Sequence, residues 1–229
     1  LARDDATPSS REALDAQLEA DMELLWLTDE VRMNRPSVLD EVSTVVWYLE
    51  DRLLDATRHV HERAAEAFRQ VYGEELGVDW GLTLGSWVAG DRDGNPFVTP
   101  ALTRAATRRH AHALLGHYER HIGRWIERLS ISDRIARATP ALRASIEDDK
   151  RLLPEVWAQN ARRDAEEPLR LKLSFIRERL ARTRRRIAAR DAGRHDEEMG
   201  AYDCAEDLIA DLEVVREMAA KAREENDRL

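Results

Sequence analysis

"GSWVAGDRDGNPFVTP", residues 85–100, packs two aspartates, an arginine and an asparagine into one glycine-bounded loop. The stretches on either side are long, rich in arginine and glutamate, and spaced like helices. Asp91, Arg92, Asp93 and Asn95 fall within five residues, with Gly90 and Gly94 among them. Glycine permits backbone angles that other residues avoid and lets a ligand come close. An arginine flanked by two carboxylates can be held in one orientation by charge-assisted hydrogen bonds. It then presents fixed donors to a phosphate or carboxylate. The other reading is ordinary turn chemistry: "DGNP" reverses the chain, Asp91 and Asp93 cap backbone groups, and Arg92 faces water. Spacing alone leaves both open. A calcium loop is excluded, because its sixth position would be Pro96 in place of glycine and its twelfth Leu102 in place of glutamate.

Upstream of the loop, glycines at 77, 81 and 85 and the alternation of Leu82, Leu84 and Trp87 predict a short extended segment. Residues 82–99 are therefore read as an extended segment leading into a candidate active-site loop. Downstream, Thr99–Pro100 is an N-cap and first helical residue, opening a helix to about Leu129. Thr139–Pro140 and Glu167–Pro168 repeat that start signal. Toward the N-terminus, Leu14, Leu18, Met22 and Leu25 share one face of a helix over about residues 10–33. Pro36 breaks it, Ser37 can cap the next helix, and the three-four spacing from Leu39 to Val71 carries that helix to Gly73. A last helix runs from about Cys204 with Leu208, Leu212, Val215 and Ala219 on one side. The polar segment 191–200 between the last two helices reads as a mobile link. The expected fold class is mainly α: a multi-helix, bundle-like unit over 1–229 with one short extended segment.

The chain has 229 residues, enough for one sizeable core without disulfide staples. A net charge of -9 argues against a dedicated nucleic-acid binder. The segment 176–190 runs against that average with seven arginines, but Ile176, Leu180 and Ile187 interleave with them. It reads as the solvated or ion-paired side of an amphipathic helix, with RNA binding as the lesser alternative. Cys204 is the single cysteine, so no internal disulfide forms, and a reducing compartment is expected. The longest apolar run, Val45–Leu49, is too short to span a bilayer. His110, His117 and His121 share a helical face, with the last two one turn apart as metal ligands can be. No carboxylate or cysteine spacing completes a site, so they are read as surface or packed histidines and no metal is expected in this chain. Trp47, Trp87 and Trp125 read as packing residues. The chain starts at Leu1 and ends inside a charged helical pattern, so it is read as an excerpt of a longer protein.

The loop resembles the GSWMGGDRDGNP-x-VT signature of the phosphoenolpyruvate carboxylase family. Three further stretches agree in the family's order: "LLWLTDEVRMNRPSVLDEV" (24–42), "EPLRLKLSFIRERL" (167–180) and "AYDCAEDLIADLEVV" (201–215). Val88 and Ala89 depart from the family's Met-Gly, and Phe97 stands where a small or polar residue is common. Asp91, Arg92, Asp93, Gly94, Asn95 and Pro96 all match.

The resemblance implies a cytoplasmic lyase that joins bicarbonate to phosphoenolpyruvate, giving oxaloacetate and phosphate with Mg²⁺ or Mn²⁺. It also implies a homo-tetramer and an α/β barrel in the full-length enzyme, with the extended segment as one barrel strand. Arg92 would steady negative charge, Asp91 and Asp93 would brace it, and Asn95 would fix the loop. The family's catalytic histidine belongs upstream of this stretch. Its metal carboxylates, catalytic lysine and glycine-rich loop belong downstream. The chain alone is therefore expected to be inactive. The rival reading is a non-catalytic helical module that binds protein partners through its amphipathic faces.

Overall fold

The computed structural model describes residues 8–27, 36–77, 81–195 and 198–226. Helix α1 (Pro8–Leu27) belongs to a unit of its own. The rest of the helix predicted to Met33 lies outside the described residues, as does much of the 24–42 motif. The second unit holds α2 (Val38–Tyr48), a π-helical turn (Leu49–Leu53), α3 (Leu54–Tyr72), α4 (Pro100–Arg128), α5 (Pro140–Leu152), α6 (Pro154–Asn160), α7 (Pro168–Asp191) and α8 (Ala205–Asn226). The single helix expected from Ser37 to Gly73 is present, but a π turn interrupts it. Gly73 ends it at φ 72°, with its amide bonded to the Arg69 carbonyl.

The threonine–proline starts work as their chemistry dictates. Thr99 and Thr139 hold extended backbone angles, and their hydroxyls accept from the amides of Leu102 and Leu142, while the prolines occupy positions with no amide to satisfy. Glu167 caps α7 without such a bond. Its carboxylate accepts from Ser130 Oγ at 2.8 Å and from Arg170 at 2.6 Å. The start at Pro154 was not anticipated. Thr139 is buried, so Thr139→Ala is expected to cost about 1–2 kcal/mol of stability, read from a urea unfolding midpoint.

Helices α4 and α7 form the most extensive pairing in this unit, and α5, α6 and α8 close around α7. Leu169, Leu173, Phe175, Ile176 and Leu180 of α7 are fully buried against Ile122 and Ile126 of α4, Leu142 and Ile146 of α5, and Val215 and Met218 of α8. Each large apolar side chain removed from water in this way contributes about 1.5–3 kcal/mol. The arginine-rich stretch turns its charged side to acidic partners. Arg184 meets Glu119 at 2.5 Å, Arg186 meets Asp203 at 2.8 Å, and Arg185 bridges Glu178 and Glu198 at 3.0 Å each.

Residues 82–87 are non-helical, and no strand is present among the described residues to pair with them. Leu82 and Trp87 are exposed. The link 191–200 is not loose at its C-terminal end. Met199 O accepts from Arg182 at 2.6 Å, Glu198 pairs with Arg185, and the Tyr202 amide donates to Thr183 Oγ1 at 2.9 Å.

Candidate functional site: the exposed loop at 88–99

A small apolar cluster anchors the loop. Val42 of α2, Ala89 of the loop and Ala106 of α4 are buried together, with Val88 and Leu102 packed against them. Ala89 takes φ 63°, in the left-handed region, at the position where the family signature has glycine. That conformation costs an alanine about 1–2 kcal/mol. Two contacts offset it. The buried methyl group contributes about 0.8 kcal/mol. The hydroxyl of Thr103 donates to Ala89 O at 2.7 Å, a bond contributing about 1 kcal/mol. Alanine therefore replaces the family's glycine at little net cost.

Beyond this anchor the chain reverses twice. The amides of Gly90 and Asp91 both donate to Trp87 O at 2.9 Å. The Asp93 amide donates to Asp91 Oδ1 at 3.2 Å, and the Phe97 amide to Asn95 Oδ1 at 3.0 Å. The Asn95 amide reaches Arg92 O at 2.5 Å, and Gly94 supplies the required positive φ of 72°. Asp91 and Asn95 thus act as Asx turns that hold the backbone.

Asp91, Arg92, Asp93 and Asn95 are all exposed on one short loop. Pinning of Arg92 between two carboxylates is not what the loop shows. Asp91 accepts from a backbone amide, and among the described residues no ion pair or hydrogen bond reaches the Arg92 guanidinium. The reason is one of magnitude. An exposed ion pair is worth about 0–1 kcal/mol and must order a long side chain. An Asx turn fixes a backbone amide with a short one. The loop combines the two readings left open by spacing: turn chemistry at Asp91 and Asn95, and an exposed, unpaired guanidinium at Arg92.

Sequence reasoning missed a buried polar network in the helical body. Lys172 of α7 is fully buried, and its Nζ lies 2.6 Å from both Asp149 Oδ2 and Asp211 Oδ1. Arg179 donates to Asp211 Oδ2 at 2.9 Å and stacks 3.9 Å from the ring centre of Tyr202. The Tyr202 hydroxyl donates to Asp211 Oδ2 at 2.7 Å. Burial, reinforced by the Asp211 carboxylate, pushes the Tyr202 hydroxyl far above its ordinary pKa, so it stays a donor. The available signal was Lys172 itself, one of three lysines in the chain, set among Leu169, Leu173 and Ile176 on the apolar side of its helix.

The second unit is mainly helical and carries one exposed loop whose backbone is held by its own turns. The family model described as phosphoenolpyruvate carboxylase matches residues 1–226, and the chain belongs to that family. A phosphoenolpyruvate carboxylase of Roseiflexus castenholzii is 39% identical over 212 residues, covering 90% of this chain and 22% of the relative. One from a strain of Prochlorococcus marinus is 36% identical over 179 residues, covering 78% and 18%. One from a Synechococcus strain is 38% identical over 168 residues, covering 73% and 17%. The chain thus spans about a fifth of the length of the curated relatives it matches.

Proposed function

We propose that this chain is a segment of a phosphoenolpyruvate carboxylase, an enzyme joining bicarbonate to phosphoenolpyruvate to give oxaloacetate and phosphate, and that it contributes the loop 88–99 to the active site. The observation that carries this reading is the family match over 1–226 together with an exposed Arg92 on a loop whose backbone is already held. The reaction develops negative charge on phosphate oxygens and on an enolate, so preorganised donors are its chief need. Arg92 supplies donors in a planar fork suited to phosphate or carboxylate. Asp91 and Asn95 keep the loop backbone in place, and Asp93 is the neighbouring carboxylate able to orient the guanidinium once an anion draws it inward. The whole enzyme works in the cytoplasm as a homo-tetramer in this reading. No helix among the described residues is long and apolar enough to cross a membrane.

Magnesium and manganese favour oxygen ligands in octahedral array. The described residues bring together no such set. The one group of three metal-capable side chains found among them is dominated by imidazole nitrogen and includes no loop residue. No ligand for the divalent ion that the family implies is assigned among the described residues, and the loop acts through its own charges. The rival reading, a non-catalytic interaction module, has no observation in its favour: the relatives named above all carry the carboxylase name.

A coupled assay with malate dehydrogenase and NADH tests the assignment. With phosphoenolpyruvate, bicarbonate and Mg²⁺, the 229-residue chain alone is expected to form no oxaloacetate above the blank. A longer protein containing it is expected to turn over. Turnover by the isolated chain would refute the division of labour, and none by the longer protein would refute the function.

A further inference from the structure

We propose that Asp55, His117 and His121 form a binding site for a divalent transition metal of the zinc class, independent of the carboxylase reading. His117 and His121 lie one turn apart on α4, with ring centres 4.3 Å apart. Asp55 stands in the first turn of α3, two residues beyond the π turn. One ligand atom from each of the three lies within 4.8 Å of the others, and His121 Nε2 is 3.9 Å from Asp55 Oδ1. Two ligands of a tetrahedral ion with bonds of about 2.0–2.1 Å sit roughly 3.3 Å apart. Small side-chain rotations close that gap.

Two further observations point the same way. Asp55 Oδ1 is shielded from solvent and has no hydrogen-bond partner among the described residues, although half of its side chain is exposed. A shielded carboxylate oxygen without a partner is uncommon and invites a ligand. The π turn inserts extra backbone before Asp55 and so re-aims the helix face that follows, and such turns recur at functional sites. Two imidazoles and one carboxylate suit Zn²⁺, Co²⁺ or Ni²⁺ better than Mg²⁺, and they leave coordination positions open.

The neighbouring cations identify the competitor. Arg58 is engaged by Glu62 at 2.6 Å and His59 at 3.0 Å, and Arg120 lies 3.9 Å from Glu50. Arg124 Nη2, 2.7 Å from His121 Nε2, occupies the lone pair a metal would take, because arginine only donates. A bound ion must displace Arg124.

The test is calorimetric titration of Zn²⁺ into the metal-free 229-residue chain, with Co²⁺ absorption as a second readout. One ion per chain is expected, with Co²⁺ d–d bands of mixed nitrogen and oxygen ligation. His117→Gln, His121→Gln and Asp55→Asn should each weaken binding at least roughly tenfold, while Arg124→Gln should tighten it severalfold. Circular dichroism checks each variant. Should a histidine variant lose its helical signal, the half-exposed Asp55→Asn carries the comparison. No binding by the wild-type chain overturns the proposal. So does affinity that survives Asp55→Asn and His121→Gln but is lost on replacing His59 and His61.

Discussion

Replacing Arg92 with alanine in a carboxylase that carries this loop is expected to lower kcat by roughly 10²- to 10³-fold, the loss typical of removing one donor aimed at developing negative charge. The fold should be indifferent. Arg92 is exposed and no interaction reaches its guanidinium among the described residues, while the loop backbone is held by Asp91, Asn95, Gly94 and the Thr103 hydroxyl. A surface change of this kind shifts stability by less than about 0.5 kcal/mol, or under about 2 °C in Tm at this size. Arg92→Lys should recover only part of the rate, since a point charge does not reproduce the planar fork. Steady-state kinetics with a thermal scan separates the effects. A kcat within threefold of wild type for Arg92→Ala would remove the loop from the chemistry.

Lys172→Met is expected to be the most destabilising single change, costing about 3–5 kcal/mol and roughly 10 °C in Tm. In the wild-type chain two cations and two carboxylates balance: Lys172 and Arg179 against Asp149 and Asp211. Methionine fills the space but leaves two buried aspartates to Arg179, which is 2.9 Å from Asp211 and 3.8 Å from Asp149. The interior then carries an uncompensated negative charge. Adding Asp149→Asn should restore at least about 1 kcal/mol, because it removes that charge. Acid should help the single variant for the same reason. Burial already pushes the Asp149 carboxyl above its ordinary value, against the pull of Lys172. Without Lys172 the native state binds that proton more readily still, so the deficit grows as pH rises above the unfolded value of about 3.9 and shrinks as pH falls back toward it. Urea unfolding of the single and double variants at two pH values measures this. A loss below about 1 kcal/mol for Lys172→Met would mean the network contributes little.

Local chemistry made much of the architecture legible beforehand. Thr99–Pro100 and Thr139–Pro140 start helices because capping hydroxyl and proline act within four residues, and Gly73 stops one by its own backbone freedom. The π turn escaped notice because it does not interrupt the three-four spacing of apolar residues that marked its helix, and the start at Pro154 because Leu153 before it offers no capping side chain. At the loop, residue types singled out a stretch rich in turns and charge. They did not say which side chains would hold backbone and which would stay free, because Asp91 and Asp93 have the same chemistry and spacing fits a charge pair and an Asx turn alike.

The sequence by itself determined most of the helix positions and the family to which the chain belongs, for those rest on short-range signals and on four motifs in order. Tertiary structure alone decided the partners of its charges. Lys172 meets carboxylates 23 and 39 residues away, and His121 meets Asp55 from another helix. No spacing rule along a chain reports such meetings, because they are set by how helix faces pack and by which polar atoms burial leaves in need of a partner.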